Sequence, residues 1–181
     1  MTTIDMINTQ TLASALMSSG RSPDIPEASD VYGWLVGNWE LEVIHYWTDV
    51  RERGLKGELH ANWVLEGRAV QDVWIMPRVS ERKAGMDKTS NMYGTTLRVW
   101  DASIQAWRIT WTDPLHGRQV QQIGQWSGKN IVQVGCYANG TPARWRFTEI
   151  TRDSFHWTGD ALEPDGNTWK LTGEFLAKRM R

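Results

Sequence analysis

GWLVGNWELEVIHYW, residues 33–47, is the stretch on which the reading of this chain turns. Gly33-Trp34 is followed at once by Gly37-Asn38-Trp39, and alternation begins there. Glu40 and Glu42 fall on one parity; Leu41, Val43 and Trp47 fall on the other. A period of two is that of a strand with one wet and one dry face. His45 shares the apolar parity, so the alternation predicts that it points inward, between Val43 and Trp47.

The same period recurs downstream, at 57–66, 68–77, 92–101, 105–113, 117–126, 129–137, 142–151, 153–161 and 168–178. Turn signals separate these runs: Glu66-Gly67, Ser127-Gly128, Asn139-Gly140 and Asp165-Gly166. A series of short hairpin-linked strands is a meander, and a long meander buries its edges by closing. The expected fold is therefore all-β, an antiparallel up-and-down barrel of about eight to ten strands. Residues 1–30 form an arm with one short helical pattern, Thr9–Met17, ended by Ser22-Pro23 and Ile25-Pro26; residues 31–181 form the barrel. The polar connection 77–91 exceeds what a hairpin requires, which marks it as mobile or functional.

Parity assigns the faces. The predicted interior holds Trp39, Leu59, Trp63, Leu97, Trp107, Trp111, Val132, Trp145, Phe147, Trp157 and Phe175. Arg98, Arg108, Arg144 and Arg146 fall on the opposite, solvated face. In the run 68–77 both faces carry apolar residues; Gln71 is placed inside. That leaves Trp74 outside, where with Trp100 it suggests an apolar patch and a homodimer.

Composition excludes several classes. A length of 181 residues suits one domain with a full core. A net charge of -1 gives no footprint for nucleic acid or an anionic membrane. No apolar stretch nears the ~20 residues that span a bilayer. The N-terminal residues lack the basic and apolar regions of a secretory signal, and Cys136 has no second cysteine to pair with, so a reducing cytoplasm is expected. The twelve tryptophans are the outlier, and they either fill the barrel or line a cup within it.

Gly37-Asn38-Trp39 at the start of the first strand resembles the Gly-x-Trp signature of the calycins, the lipocalin and fatty-acid-binding barrels. In those proteins a basic residue near the end of the last strand covers that tryptophan. The resemblance implies a barrel floor made by Trp39 and Arg179. LVGNWELE, LEGRAVQDVWIMP, YGTTLRVWDASIQAWRITWTDP and DGNTWKL together look like an uncharacterised prokaryotic family of lipocalin-like barrels, over residues 33–179. That family implies the fold and no settled chemistry. The arginine face would line the interior only if the barrel were inverted, as in fatty-acid-binding proteins.

The candidate site is the set of inward polar groups, His45, Gln71, Tyr93, Thr95, Gln133, Tyr137 and Glu149, with Trp63, Trp111 and Trp145 beside them. Three functions fit. The first is a binding protein for a small apolar, aromatic ligand. The second is a cofactor-free enzyme of isomerase, cyclase or decarboxylase type, with His45, Tyr93 or Glu149 moving a proton. The third is a structural module with a filled barrel. No catalytic residue is assigned and no cofactor is expected; a haem with one histidine as axial ligand is a variant of the first two. Histidines 45, 60, 116 and 156 lie on separate runs, which predicts no metal site.

Overall fold

A computed structural model describes residues 11–181. Eleven strands form one sheet, and ten of them make its wall: β1 Gly37–Tyr46, β3 Lys56–Val64, β4 Ala69–Met76, β5 Met92–Asp101, β6 Ala106–Asp113, β7 Arg118–Ser127, β8 Asn130–Tyr137, β9 Pro142–Thr148, β10 Ser154–Leu162 and β11 Trp169–Arg179. The remaining strand, β2 Thr48–Asp49, folds back on the upper end of β1. Each wall strand pairs antiparallel with the next, and β11 returns to β1 with Trp39 opposite Arg179. The alternation read in the sequence thus closes into an up-and-down barrel with no free edge in its wall. Before it lies a single helical turn and a half, α1 Leu12–Leu16, shorter than the pattern predicts; the start of that pattern lies outside the described residues. No described helix is long and apolar enough to cross a membrane.

One end of the barrel is solid. A 3-10 turn at Gly33–Leu35 enters it, and Tyr32, Leu35, Trp39, Trp107 and Phe147 are wholly buried. Their rings meet edge to face: Tyr32 on Trp107 at 5.3 Å between centroids, Trp39 on Phe155 at 4.9 Å. Arg179 places its guanidinium 4.0 Å from the Trp39 ring centroid. It donates to Val36 O and Trp34 O at 2.8 Å each, and to Arg152 O at 2.8 Å. One cation therefore ties the entering arm, the last hairpin and the first strand together. Gly37, at φ 132, is needed for this: a Cβ there would collide with the Arg179 guanidinium. The Trp39 indole donates to Leu35 O at 2.8 Å, so its polar handle is spent within the floor.

Parity fails in three places, each for a physical reason. Strand β1 has a bulge at Ile44: Val43 faces Phe175 but His45 faces Glu174. The extra residue reverses the alternation, so Tyr46 turns inward and His45 outward. In β4 and β5 the inner row is Val70, Asp72, Trp74, Met76 and Met92, Gly94, Thr96, Arg98, one residue out from the expected register. Charge was the misleading sign, because Asp72 and Arg98 are buried as an ion pair. The 77–91 connection straps over the Met76–Met92 end of the outer face, where Arg82 donates to both carbonyls. Arg78 donates to Glu40 at 2.8 Å, Val79 N–H to Glu58 at 3.0 Å, and Arg82 stacks 5.0 Å over Tyr93. In β8 it is Ile131 and Gln133 that point inward, with Val132 turned out.

Trp74 is consequently inside at 5 % exposure, and Trp100 packs 6.1 Å from Trp107. The outer patch expected of these two rings does not form, and the ground for a homodimer through it is removed.

Trp39→Ala should destabilise the protein by about 3–5 kcal/mol. Arg179→Ala should cost about 1–3 kcal/mol through the carbonyls it leaves without a donor. Equilibrium unfolding in urea checks both, and a loss below about 1 kcal/mol for Trp39→Ala contradicts a closing role.

Candidate functional site

Above the floor the barrel opens into a chamber. Its base is the Arg98–Asp72 pair, 1 % and 0 % exposed at their side chains. Arg98 lies 5.0 Å over the Tyr32 ring and 5.9 Å over Phe147, so it rests on the roof of the solid half. Asp72 also accepts the Thr96 N–H at 3.2 Å, while Arg98 Nε has no hydrogen-bond partner among the described residues.

The walls are Trp74, Met92, Trp111, Trp145, Trp157 and Phe175. Trp145 and Trp157 stand 5.3 Å apart at 65°, Trp111 and Trp145 6.2 Å apart at 78°, and Trp157 and Phe175 5.4 Å apart. Rings of this size fit a ten-stranded wall because glycine faces them. A Cβ at Gly94 would run into the six-membered ring of Trp111. The enclosed cavity is about 60 Å³, less than the ~150 Å³ that admits a benzene ring, and the free space is about 590 Å³ when the open mouth is included, so a ring system held here would extend into the mouth.

The mouth is polar. The β1 bulge delivers Tyr46, and Trp47 follows in the left-handed region at φ 61. Arg118, at the start of β7, lies 4.4 Å over the Trp47 ring and donates to Tyr46 Oη at 3.2 Å. Trp47 in turn packs against Tyr137 at 6.3 Å. Thr172 donates to Gly159 O at 3.0 Å across a second bulge, between β10 and β11. Asp113 accepts from His116 Nδ1–H at 2.6 Å and from Leu115 N–H at 3.1 Å. Burial pushes the Tyr46 phenol up to about 12, with Arg118 pulling it down and Asp113 pushing it up. Burial raises Tyr137 as well, against the pull of Thr172, Arg118 and the Trp145 indole. Trp145 Nε1 is buried and makes no well-formed hydrogen bond among the described residues.

Of the residues singled out in the sequence, Trp111, Trp145 and Tyr137 line this chamber. Trp63 and Gln133 are inside the barrel but below it. Trp63 packs 6.3 Å from Trp107, and Gln133 donates to Gln122 Oε1 at 3.0 Å and accepts from Tyr32 at 3.4 Å. The other polar candidates are corrected. His45 lies on the outer wall opposite Glu174, Gln71 donates to Thr95 there at 3.1 Å, and Tyr93 is 43 % exposed. Glu149 sits exposed in the β9–β10 turn, at φ 52 and at the floor end. No described histidine lines the chamber, which is where a haem axial ligand would have to stand, and no cluster of three metal-ligating side chains occurs among the described residues.

Sequence reasoning missed Tyr46, Asp113 and Arg118, read Trp47 as inward without assigning it to the site, and misplaced Trp74, Asp72 and Arg98. The last three could have been found together, since all lie on one parity with Val70 and Met76 or directly across from it. Tyr46 follows from a bulge that alternation does not reveal, whereas Asp113 and Arg118 share the inward parity of Trp111 and Val120 on their strands.

Arg98→Met alone should cost about 3–5 kcal/mol, because it strands Asp72, whereas Arg98→Met with Asp72→Leu should regain most of the loss; urea unfolding of both variants checks this. Tyr46 gives a pH test. Folding favours its neutral phenol, so its contribution is whole below pH ~10 and is lost as pH climbs toward about 12. Tyr46→Phe should remove about 2 kcal/mol of the alkaline decline in stability, measured by thermal melts at stepped pH. No known protein-family model matches the chain, and no curated protein matches it by sequence, so the geometry of the chamber carries the functional reading.

Proposed function

We propose that this protein is a small-molecule binding protein of calycin-like build, which holds an apolar aromatic ligand in the upper chamber. The observation that carries this reading is the contrast between the two halves of one barrel. The lower half is packed solid with rings, while the upper half sets Trp74, Trp111, Trp145, Trp157 and Phe175 around open space. A purely structural barrel would gain by filling both halves to the density of a protein interior.

The enzymatic alternative depended on His45, Tyr93 or Glu149, and all three lie outside the chamber. Tyr46, at its mouth, holds its proton at neutral pH. Binding without chemical conversion is the reading that the chamber's own residues support. A cytoplasmic setting goes with it: Cys136 is exposed and unpaired, which a reducing compartment tolerates.

Magnitudes bound the affinity. An aromatic ligand that buries about 150–200 Å² of apolar surface gains roughly 4–5 kcal/mol. Lost translational and rotational freedom takes back a large share of that. The apolar walls alone give weak binding, and the polar mouth sets what is selected.

Binding of an aromatic probe such as cinnamamide should quench intrinsic tryptophan fluorescence, since the rings that emit are the rings that line the chamber. Trp111→Ala should weaken that binding by about tenfold, the cost of removing one stacking face. His45→Phe should leave it unchanged. A saturating quench that Trp111→Ala does not weaken contradicts the chamber as the site.

A further inference from the structure

Donors outnumber acceptors at the mouth of the chamber. Arg118 is a partly buried cation whose contacts are a neutral hydroxyl and a ring face: Tyr46 Oη at 3.2 Å and Trp47 at 4.4 Å. No carboxylate stands in ion-pair range of it among the described residues. The nearest by register, Asp113, directly opposite Arg118 on β6, is already taken by His116 at 2.6 Å and by the Leu115 N–H. Arg98, the other guanidinium bordering the chamber, differs in having Asp72 as its own counter-charge. Tyr137 lines the same mouth and packs 6.3 Å from the Trp47 ring that Arg118 covers, so Arg118, Tyr46 and Tyr137 border one space. Below them Trp145 holds a buried N–H without a well-formed partner, at 7 % exposure.

A desolvated cation without a counter-charge is costly, and so is a buried donor without an acceptor. One kind of occupant relieves both: a group with one negative charge and several lone pairs. A dianion such as a phosphate monoester would set its second charge against Asp113 with no second cation to offset it. A planar carboxylate matches the guanidinium fork and leaves oxygen lone pairs for the phenols. The rings behind the mouth call for a planar body on the same molecule.

We propose that the ligand class is the small aromatic monocarboxylates, with the ring among Trp111, Trp145 and Trp157 and the carboxylate on Arg118, Tyr46 and Tyr137. This rests on the chamber being a ligand site, and it adds the group that confers selection. Arg118 acts here as a specificity residue at the rim, outside the packed core.

The test uses cinnamate and its uncharged isostere cinnamamide, titrated calorimetrically into the full-length protein. Cinnamate should bind about tenfold or more tightly than the amide, the usual gain of charge-assisted hydrogen bonds. Arg118→Gln should abolish that preference, bringing cinnamate down to the level of the amide, and its thermal melt reports that the variant is folded. Tyr46→Phe should weaken cinnamate alone by several fold, and its thermal melt reports its folding. Equal binding of acid and amide to the unmodified protein overturns the carboxylate assignment and leaves the aromatic chamber standing. A preference that survives Arg118→Gln overturns the assignment of Arg118. Absence of binding by both compounds overturns the ligand-site reading itself, and this inference with it.

Discussion

Everything in this fold depends on β11 finding β1. A meander gains most of its pairing locally, hairpin by hairpin, but its first and last strands meet across nearly the whole chain. That meeting is fixed chemically rather than by pairing alone. Arg179 covers Trp39 at 4.0 Å and satisfies carbonyls of the entering arm at Trp34 and Val36. A guanidinium suits the place because its donors fan out in a plane while its face rests on the indole. A lysine would hold the charge and lose the fan.

The closed floor makes the open chamber possible. Solid packing of Tyr32, Leu35, Trp107 and Phe147 provides the lower half with its hydrophobic stabilisation, so the upper half need not be filled to hold the barrel together. The Arg98–Asp72 pair marks the boundary. Such pairs seldom stabilise a core relative to well-packed apolar groups. This one rests on Tyr32 and Phe147 and gives the chamber a polar base in an otherwise aromatic cup. The wall above it carries large rings on some strands and small residues, Gly94 and Gly173, on others, which lets the rings lie across the lumen.

The architecture was legible in the sequence because alternation and turn chemistry repeat in nearly every hairpin. Strand β5 begins and ends where the pattern places it, at Met92 and Asp101, and β6, β8 and β9 differ from it by a few residues at most. Trp39 and Arg179 were legible from a resemblance. The site was legible only in part. Trp111 and Trp145 keep their parity from one end of their strands to the other. His45 did not, because a bulge inserts one residue and exchanges the two faces above it. Strand β4 was misread for a different reason: both its faces carry apolar residues, so hydrophobicity could not distinguish inside from outside, and a buried ion pair imitated a solvated one.

The misread positions are also where the chamber acquires its polar groups. The bulge at Ile44 turns Tyr46 into the mouth, and the adjacent bulge at Thr172 brings a second hydroxyl beside it, with Trp47 N–H donating to Thr172 O at 2.8 Å between them. Trp47 is then held at φ 61, a conformation that costs an L-residue about 1–2 kcal/mol. This conformation sets the ring under Arg118 and against Tyr137. Regular alternation brings Arg118 and Tyr137 to the rim on β7 and β8; two interruptions of it, side by side at that rim, add Tyr46, Trp47 and Thr172 and give the mouth its second phenol.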